Sequence, residues 1–290
     1  MRERIPEPWE QLRPGDLALL GLPSDEHSSF LRGAALAPPR IREVLYSGAS
    51  NLSAENGIDL GSEARFRDLG DLDFEGTDTF RSIESAVGQV LARGASLLAL
   101  GGDHALTYPL VKAFAAVHGP LEILHLDAHP DLYDVLDGDR YSHGCPFARI
   151  MEAGLARRLV QVGIRAMNPH QREQAARFGV EVHDMRGWRP DFRPDLTGPI
   201  YLSVDLDVLD PAFVPGVSHH EPGGLSTREL LGLIHRLEVP ILGADIVEFN
   251  PARDPVGVTA AAAAKLLKEV AACMLAWNGE DRGAPGPGVS

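Results

Sequence analysis

The stretch Leu121-Glu122-Ile123-Leu124-His125-Leu126-Asp127-Ala128-His129-Pro130-Asp131 decides how the chain is read. Leu121 to Leu126 reads as a buried strand. Asp127, His129 and Asp131 follow it at every second position, and alternate residues on an extended chain point the same way. Their side chains can therefore converge at the strand's C-terminal end. Two carboxylates and an imidazole brought face to face repel one another or strand buried polarity, and a divalent cation among them removes both penalties. The competing reading is a solvated acidic loop with a chance histidine. A second cluster of the same kind, far along the chain, weighs against it.

Outward from that strand, short apolar runs alternate with helical patterns. Strands are expected at Leu17 to Leu22, Phe66 to Leu72, Ala95 to Leu100, Leu159 to Ile164, Val180 to His183, Ile200 to Leu206 and Ile241 to Phe249. Helices are expected at Ala37 to Leu45, Thr79 to Arg93, Ala105 to Val117, 143–156, Pro169 to Phe178, Ser226 to Leu237 and Ala260 to Trp277. Residues 49–65 look irregular. Continuous apolar strands between helices imply an α/β fold with a parallel sheet covered on both faces. Ligands in such sheets bind beyond the C-terminal strand ends. No linker divides the chain, so one domain is expected over 1–278, with a loose Gly- and Pro-rich tail at 279–290.

The chain has 290 residues, 44% hydrophobic and 23% charged, enough for a sizeable core. Its net charge of −14 disfavours nucleic acid and anionic lipid as partners. Two cysteines, Cys145 and Cys273, make neither a disulfide framework nor a CxxC site. Met1 to Pro6 lacks the apolar segment of a signal peptide, and no apolar run reaches the roughly 18 residues needed to span a bilayer. A cytoplasmic protein is expected.

Other chemistry-bearing residues also fall at strand ends. Gly101-Gly102-Asp103-His104 follows Leu100; Asp205-Leu206-Asp207 follows Val204; Asp245-Ile246-Val247-Glu248 follows Ala244. The candidate ligands are His104, Asp127, His129, Asp131, Asp205 and Asp207. Four carboxylates and two imidazoles exceed what one cation needs and suit two ions sharing bridging carboxylates. Hard oxygen donors with some nitrogen and no thiolate favour Mn²⁺. Two ions about 3.5–4 Å apart can activate a water between them.

The motifs Gly101-Gly-Asp-His104, Asp127-Ala-His-Pro-Asp131, Ser203-Val-Asp-Leu-Asp-Val-Leu-Asp-Pro211 and Asp245-Ile-Val-Glu-Phe-Asn-Pro251 resemble the ureohydrolase superfamily of arginases, agmatinases and relatives. The resemblance spans Leu17 to Trp277. It implies an arginase-like three-layer α/β/α fold with a central, mainly parallel, about eight-stranded sheet. It implies two Mn²⁺ ions per subunit, a trimer or hexamer, and hydrolysis of a guanidino group to urea and an amine. His104, Asp127, Asp131 and Asp205 would hold one ion, and Asp127, His129, Asp205 and Asp207 the other. Glu248 would pair with the guanidinium, Asp131 would pass a proton to the leaving amine, and His143 would shuttle protons, as its near-neutral pKa allows.

For the substrate, the loop after Asp131 carries Tyr133 where arginases have an asparagine. Its His143-Gly-Cys-Pro-Phe147 looks like the HGTPF segment of agmatinases. Agmatine, giving putrescine, is therefore the first expectation, with guanidinobutyrate, formiminoglutamate and arginine as alternatives. His219 and His220 read either as substrate-binding, facing a carboxylate, or as loop packing. Ser24 to Ser29 either lines the pocket or shapes its loop, and Arg32 is open in the same way. Asp210 reads as a cap for the turn at Pro211. Trp9, Trp188 and Trp277 read as core or interface. Cys145 beside His143 is not expected to be a nucleophile. A zinc deacetylase-type amide hydrolase, and a scaffold that kept the fold without activity, are the competing functions. The complete set of six ligands argues against both.

Overall fold

The computed structural model describes residues 6–279. The expected tail at 279–290 lies outside the described residues, apart from Gly279, which closes the last helix.

Eight strands form one sheet: β1 (Leu17–Gly21), β2 (Phe66–Asp71), β3 (Ser96–Leu100), β4 (Leu121–Leu126), β5 (Ala156–Ile164), β6 (Glu181–Asp184), β7 (Ile200–Asp205) and β8 (Ile241–Val247). Every pairing is parallel, and the order is β2-β1-β3-β8-β7-β4-β5-β6. The helices are α1 (Ala37–Leu45), α2 (Thr79–Leu91), α3 (Thr107–His118), α4 (Pro146–Glu152), α5 (Pro169–Phe178), α6 (Thr227–His235) and α7 (Val258–Gly279). The fold is a three-layer α/β/α sandwich of the arginase-like kind.

Alternate strand residues feed the two outer layers. Leu98, Leu124, Leu202 and Ala244 pack with Ile41, Leu231 and Leu267 of α1, α6 and α7. Leu97, Ile123 and Tyr201 pack with Ile83, Val87, Leu110 and Phe114 of α2 and α3. A parallel sheet needs such cover, because both of its faces are apolar. Local chemistry starts the helices where the sequence places them. Pro38 and Pro39 sit in the first turn of α1, where no backbone donor is lost. Ser226 and Glu229 form a reciprocal capping box on α6.

Several boundaries differ from the sequence reading, most of all around α4. The helix expected over 143–156 begins only at Pro146 and stops at Glu152. Gly154 then turns left-handed at φ 64°, so β5 starts three residues before the expected Leu159. Helix α2 ends at Leu91, one turn short of Gly94. Among the described residues, no helix is long and apolar enough to cross a membrane.

The strand order positions the site. The chain crosses from β3 to β4 and later inserts β8 and β7 between them. The four strands that carry the four motifs thus lie side by side, with their C-terminal ends on one rim.

Candidate active site

Each motif leaves its strand in a different way. After β3, Gly101 and Gly102 let the backbone pass directly against residue 24, since a β-carbon at 102 would overlap the Ser24 carbonyl. The chain then enters a short 3-10 helix at His104, whose start is capped by Asp103. After β7, Asp205 Oδ1 accepts the Asp207 N–H at 2.7 Å, which turns both carboxylates inward. After β4 and β8, Asp131 and Glu248 adopt left-handed backbone, with φ of 48° and 65°. Such conformations cost about 1–3 kcal/mol in non-glycine residues and collect at functional sites.

The six candidate ligands meet. His104 Nδ1 lies 3.2 Å from Asp127 Oδ2, 3.0 Å from Asp131 Oδ2 and 3.3 Å from Asp205 Oδ2. His129 Nδ1 lies 2.9 Å from Asp207 Oδ2 and 3.5 Å from Asp127 Oδ1. Donor atoms of Asp127, His129 and Asp207 all fall within 4.8 Å of one another, close enough to share a cation. Asp127 and His104 are fully buried, and Asp205 and Asp207 are each 3% exposed.

Among the six candidate ligands, hydrogen bonding leaves His104 Nδ1 without a partner. Asp245 accepts hydroxyl donors from Ser203 at 2.7 Å, Tyr201 at 2.7 Å and Thr107 at 3.0 Å. Ser203 has spent its one proton on Asp245, so its oxygen accepts from His104 Nε2, 2.9 Å away. Neutral His104 therefore turns an Nδ1 lone pair toward three carboxylate oxygens, and that buried atom has no hydrogen-bond partner. A cation at this point satisfies the nitrogen and the oxygens together, so the residues fit a metal.

Without a cation, protons serve instead. Burial opposes a charge on His104, but Asp127, Asp131 and Asp205 raise its pKa well above the ordinary histidine value. Burial, then Asp207 and Asp127, raises Asp205 well above the carboxylate range. Burial and Asp127 push Asp207 up to about 6 against the opposing pull of His129. Ligands must be deprotonated to hold a cation, so a bound metal would displace these protons.

Glu248 stands beside this cluster. Its Oε1 accepts the His104 N–H at 2.9 Å and meets His143 Nδ1 at 2.9 Å. Burial works against a charge on His143, but Glu248 raises its pKa to about 9. His143 Nε2 lies 2.8 Å from Ser29 Oγ. His129, Asp131, His143, Asp205, Asp207 and Glu248 share one cavity of about 640 Å³, which Ser29, Tyr133, Asn168 and His219 also line.

Not every candidate faces the cavity. His219 Nε2 is buried and unpartnered, while burial and His143 lower its pKa. His220 instead bonds the Pro215 carbonyl at 2.8 Å and does not line the cavity. Arg32 bonds the Glu26 carbonyl of its own loop. Asp210 caps its turn through the N–H groups of Ala212, Gly223 and Gly224. The Cys145 thiol is buried, pushed up to about 12, and turned to the Asp139 carbonyl. Three residues of the site escape sequence reading. Ser203 and Asp245 lie within the motifs, but only strand order links them to His104. Gln161 carries no local signal at all. His125 did carry one, because it precedes Asp127 by two positions and so shares its face.

The Arginase family pattern matches residues 15–273. A mitochondrial arginase of Arabidopsis thaliana is 47% identical over 274 residues, covering 88% of this chain and 80% of its own. The agmatinase of Bacillus subtilis is 34% identical, covering 90% of this chain and 92% of its own. The solved arginase of Medicago truncatula superposes with a TM-score of 0.83 at 44% identity, covering 89% of this chain and 87% of that one. These relatives overturn the cytoplasmic expectation, since arginases of Arabidopsis, rice and Medicago among them are named mitochondrial. The physical reason is that organelle-targeting segments are amphipathic, so a missing apolar leader does not assign the cytosol. With the match running from β1 into α7 and the motif-bearing strands abutting at one rim, the chain belongs to the arginase family of hydrolases, which act on the C–N bonds of amidines.

Proposed function

We propose that this chain hydrolyses the guanidino group of an arginine-type amino acid to urea and an amine, using two Mn²⁺ ions. The observation that carries the metal reading is the buried, unpartnered His104 Nδ1 facing three carboxylate oxygens. His104, Asp127, Asp131 and Asp205 would hold one ion. Asp127, His129, Asp205 and Asp207 would hold the other. Oxygen and imidazole donors without thiolate favour Mn²⁺. When bound, such a pair supplies an activated water at neutral pH and charge stabilisation for the reacting carbon.

The remaining work falls to the protein's own groups. Glu248 uses Oε1 for His104 and His143, which leaves Oε2 to take the substrate guanidinium. Its fixed position holds the central carbon over the carboxylate cluster. As the oxygen of a water adds to that carbon, Asp131 takes a proton from the water and passes it to the leaving nitrogen, whose bond to the central carbon breaks. His143 carries a proton at neutral pH, because Glu248 holds its pKa near 9, and exchanges it with solvent through the cavity mouth at Ser29. His219, which lines the same cavity, stands where the substrate's tail would lie.

Arginine replaces agmatine as the first substrate on the strength of the relatives, 47% identity to an arginase against 34% to an agmatinase. Agmatine remains the second reading for a specific reason. Arg165 is the one Arg or Lys among the residues lining the cavity, and its guanidinium is spent on the carbonyls of Glu221, Asp207, Val208, Leu209 and Gly163. A substrate carboxylate therefore finds no free cationic side chain on that lining. The test is urea release by the Mn²⁺-loaded protein from arginine, agmatine and 4-guanidinobutyrate, and formamide release from formiminoglutamate, at equal concentration. Arginine should give the highest kcat/KM. Highest turnover of agmatine would move the assignment to the second reading, and urea from none would defeat both.

Cation affinity should also depend on pH with a definite sign. Asp207 sits near 6 in the metal-free protein. Below that value it binds a proton, which competes with the cation, so affinity should fall as pH drops from 7 to 5. Titration calorimetry at the two pH values measures this, and equal affinity would place Asp207 outside the coordination shell.

A further inference from the structure

Directly behind the carboxylate cluster, the sheet lines up a row of polar side chains. Gln161 on β5 is in register with His125 on β4, His125 with Ser203 on β7, and Ser203 with Asp245 on β8. All four are fully buried. Polar groups at such depth are costly unless each has a specific partner. Ser203 and Asp245 serve His104, as described above. The other half of the row serves Asp127.

The hydrogen bonds of that half have only one consistent direction. Gln161 Nε2 lies 2.7 Å from the Pro130 carbonyl. A carbonyl only accepts, so the amide nitrogen must be the atom that faces it. Its second hydrogen points to His125 Nδ1 at 3.0 Å. Nδ1 therefore accepts, and the ring proton sits on Nε2, which donates to Asp127 Oδ2 at 2.8 Å. Phe147 stacks on the ring at 3.9 Å and 27°, which stops it from swinging away. Asp127 Oδ1 meanwhile accepts the His129 N–H at 2.6 Å. Each oxygen of Asp127 thus receives one N–H and keeps its remaining lone-pair capacity for the cluster.

Donor atoms of His104, His125 and Asp127 also lie within 4.8 Å of one another, so His125 can alternatively be read as a ligand. The geometry points to a different role. We propose that His125 is a positioning residue, a neutral imidazole locked by Gln161 into the Nε2–H form, which orients Asp127 to be shared by two cations. Both ring nitrogens are already committed, so His125 has no lone pair left to give a metal. The inference rests on the divalent-cation reading above.

The test is Mn²⁺ affinity and stoichiometry of the full chain, by equilibrium dialysis and titration calorimetry, for wild type, His125→Phe, Gln161→Leu and the pair His125→Gln with Gln161→Leu. His125→Phe keeps a ring against Phe147 and removes both nitrogens. It should weaken Mn²⁺ binding about 10- to 100-fold, the usual effect of losing an outer partner, with two ions still bound at saturation. Gln161→Leu frees the tautomer and should weaken binding by less. His125→Gln carries an amide nitrogen close to where Nε2 stood and needs no tautomer lock, so it should recover most of the affinity in the Gln161→Leu background. Histidine ¹⁵N spectra of the metal-free protein should show the Nε2–H form in wild type and a mixture in Gln161→Leu. A wild type that binds no Mn²⁺ would sink the cation reading and this inference with it. A wild type that binds two ions beside a His125→Phe protein of equal affinity would sink the inference alone. Loss of one whole ion in His125→Phe, with no recovery by glutamine, would make His125 a ligand and overturn the positioning role.

Discussion

Asp127→Asn should abolish urea release, by at least about 10³-fold, while the protein stays folded and loses its bound metal. The substitution keeps the shape of the side chain and changes only its charge and one donor. Asp127 is fully buried, and its two oxygens accept N–H groups from His125 and from the backbone of His129. An amide must turn its NH₂ toward one of those donors, which leaves a buried hydrogen bond unmade at about 1–3 kcal/mol. A fold with helices packed on both sides of its sheet tolerates that loss. The cluster does not, because the carboxylate proposed to bridge two cations is gone, and several kcal/mol of charge stabilisation go with it. Each 1.36 kcal/mol is tenfold in rate, so about 4 kcal/mol gives the stated loss. Urea assay, metal analysis and circular dichroism together check the result. Normal turnover by a metal-loaded mutant would show that the cluster is misassigned.

The second large effect is expected at Glu248→Gln. Here kcat/KM for the guanidino substrate should fall roughly 10²- to 10³-fold, while two metal ions remain bound. The mutant amide oxygen can still accept the His104 N–H, so the local backbone, with φ 65°, keeps its support. What disappears is the charge opposite the guanidinium, and breaking a buried ion pair costs about 3–5 kcal/mol. A second readout separates this role from a structural one. Glu248 is what holds the His143 pKa near 9 against burial. Removing its charge should move the alkaline limb of the pH–rate profile to lower pH. If metal content falls in step with activity, Glu248 instead shapes the metal site.

Sequence patterns located the site because they are local and repetitive. A period-two pattern singled out Asp127, Asp131, Asp205 and Asp207. But β4 ends at Leu126 and Asp207 lies in a 3-10 turn after β7, so turn hydrogen bonds and the left-handed backbone of Asp131, not strand pleating, aim these side chains inward. An apolar run that ends in polar residues marks a strand end, and the parallel α/β rule assigns ligands to that end. Each helix with a clear start signal, such as Pro38 in α1 or Ser226 before α6, begins within a residue of its expected position. The helix expected at 143–156 was misjudged because its apolar spacing continues past both ends. Gly154, at positive φ, overrides the spacing at the C-terminal end.

The chain by itself therefore determined the α/β alternation, the identity of the acidic and histidine candidates, and the family they resemble. Tertiary structure alone decided the rest. It put β8 and β7 between β3 and β4, so that Asp245 reaches His104 through Ser203 across 141 positions of chain. It set Gln161 against His125 and so fixed which ring nitrogen carries the proton. It committed Arg165 to backbone carbonyls, and it sent His220 to the Pro215 carbonyl while its neighbour His219 lines the cavity. The reason is that a side chain's direction along one strand follows from local stereochemistry, whereas its neighbour on the next strand follows from how all the layers pack. Cross-strand register, and every hydrogen bond that depends on it, is a property of the assembled sheet.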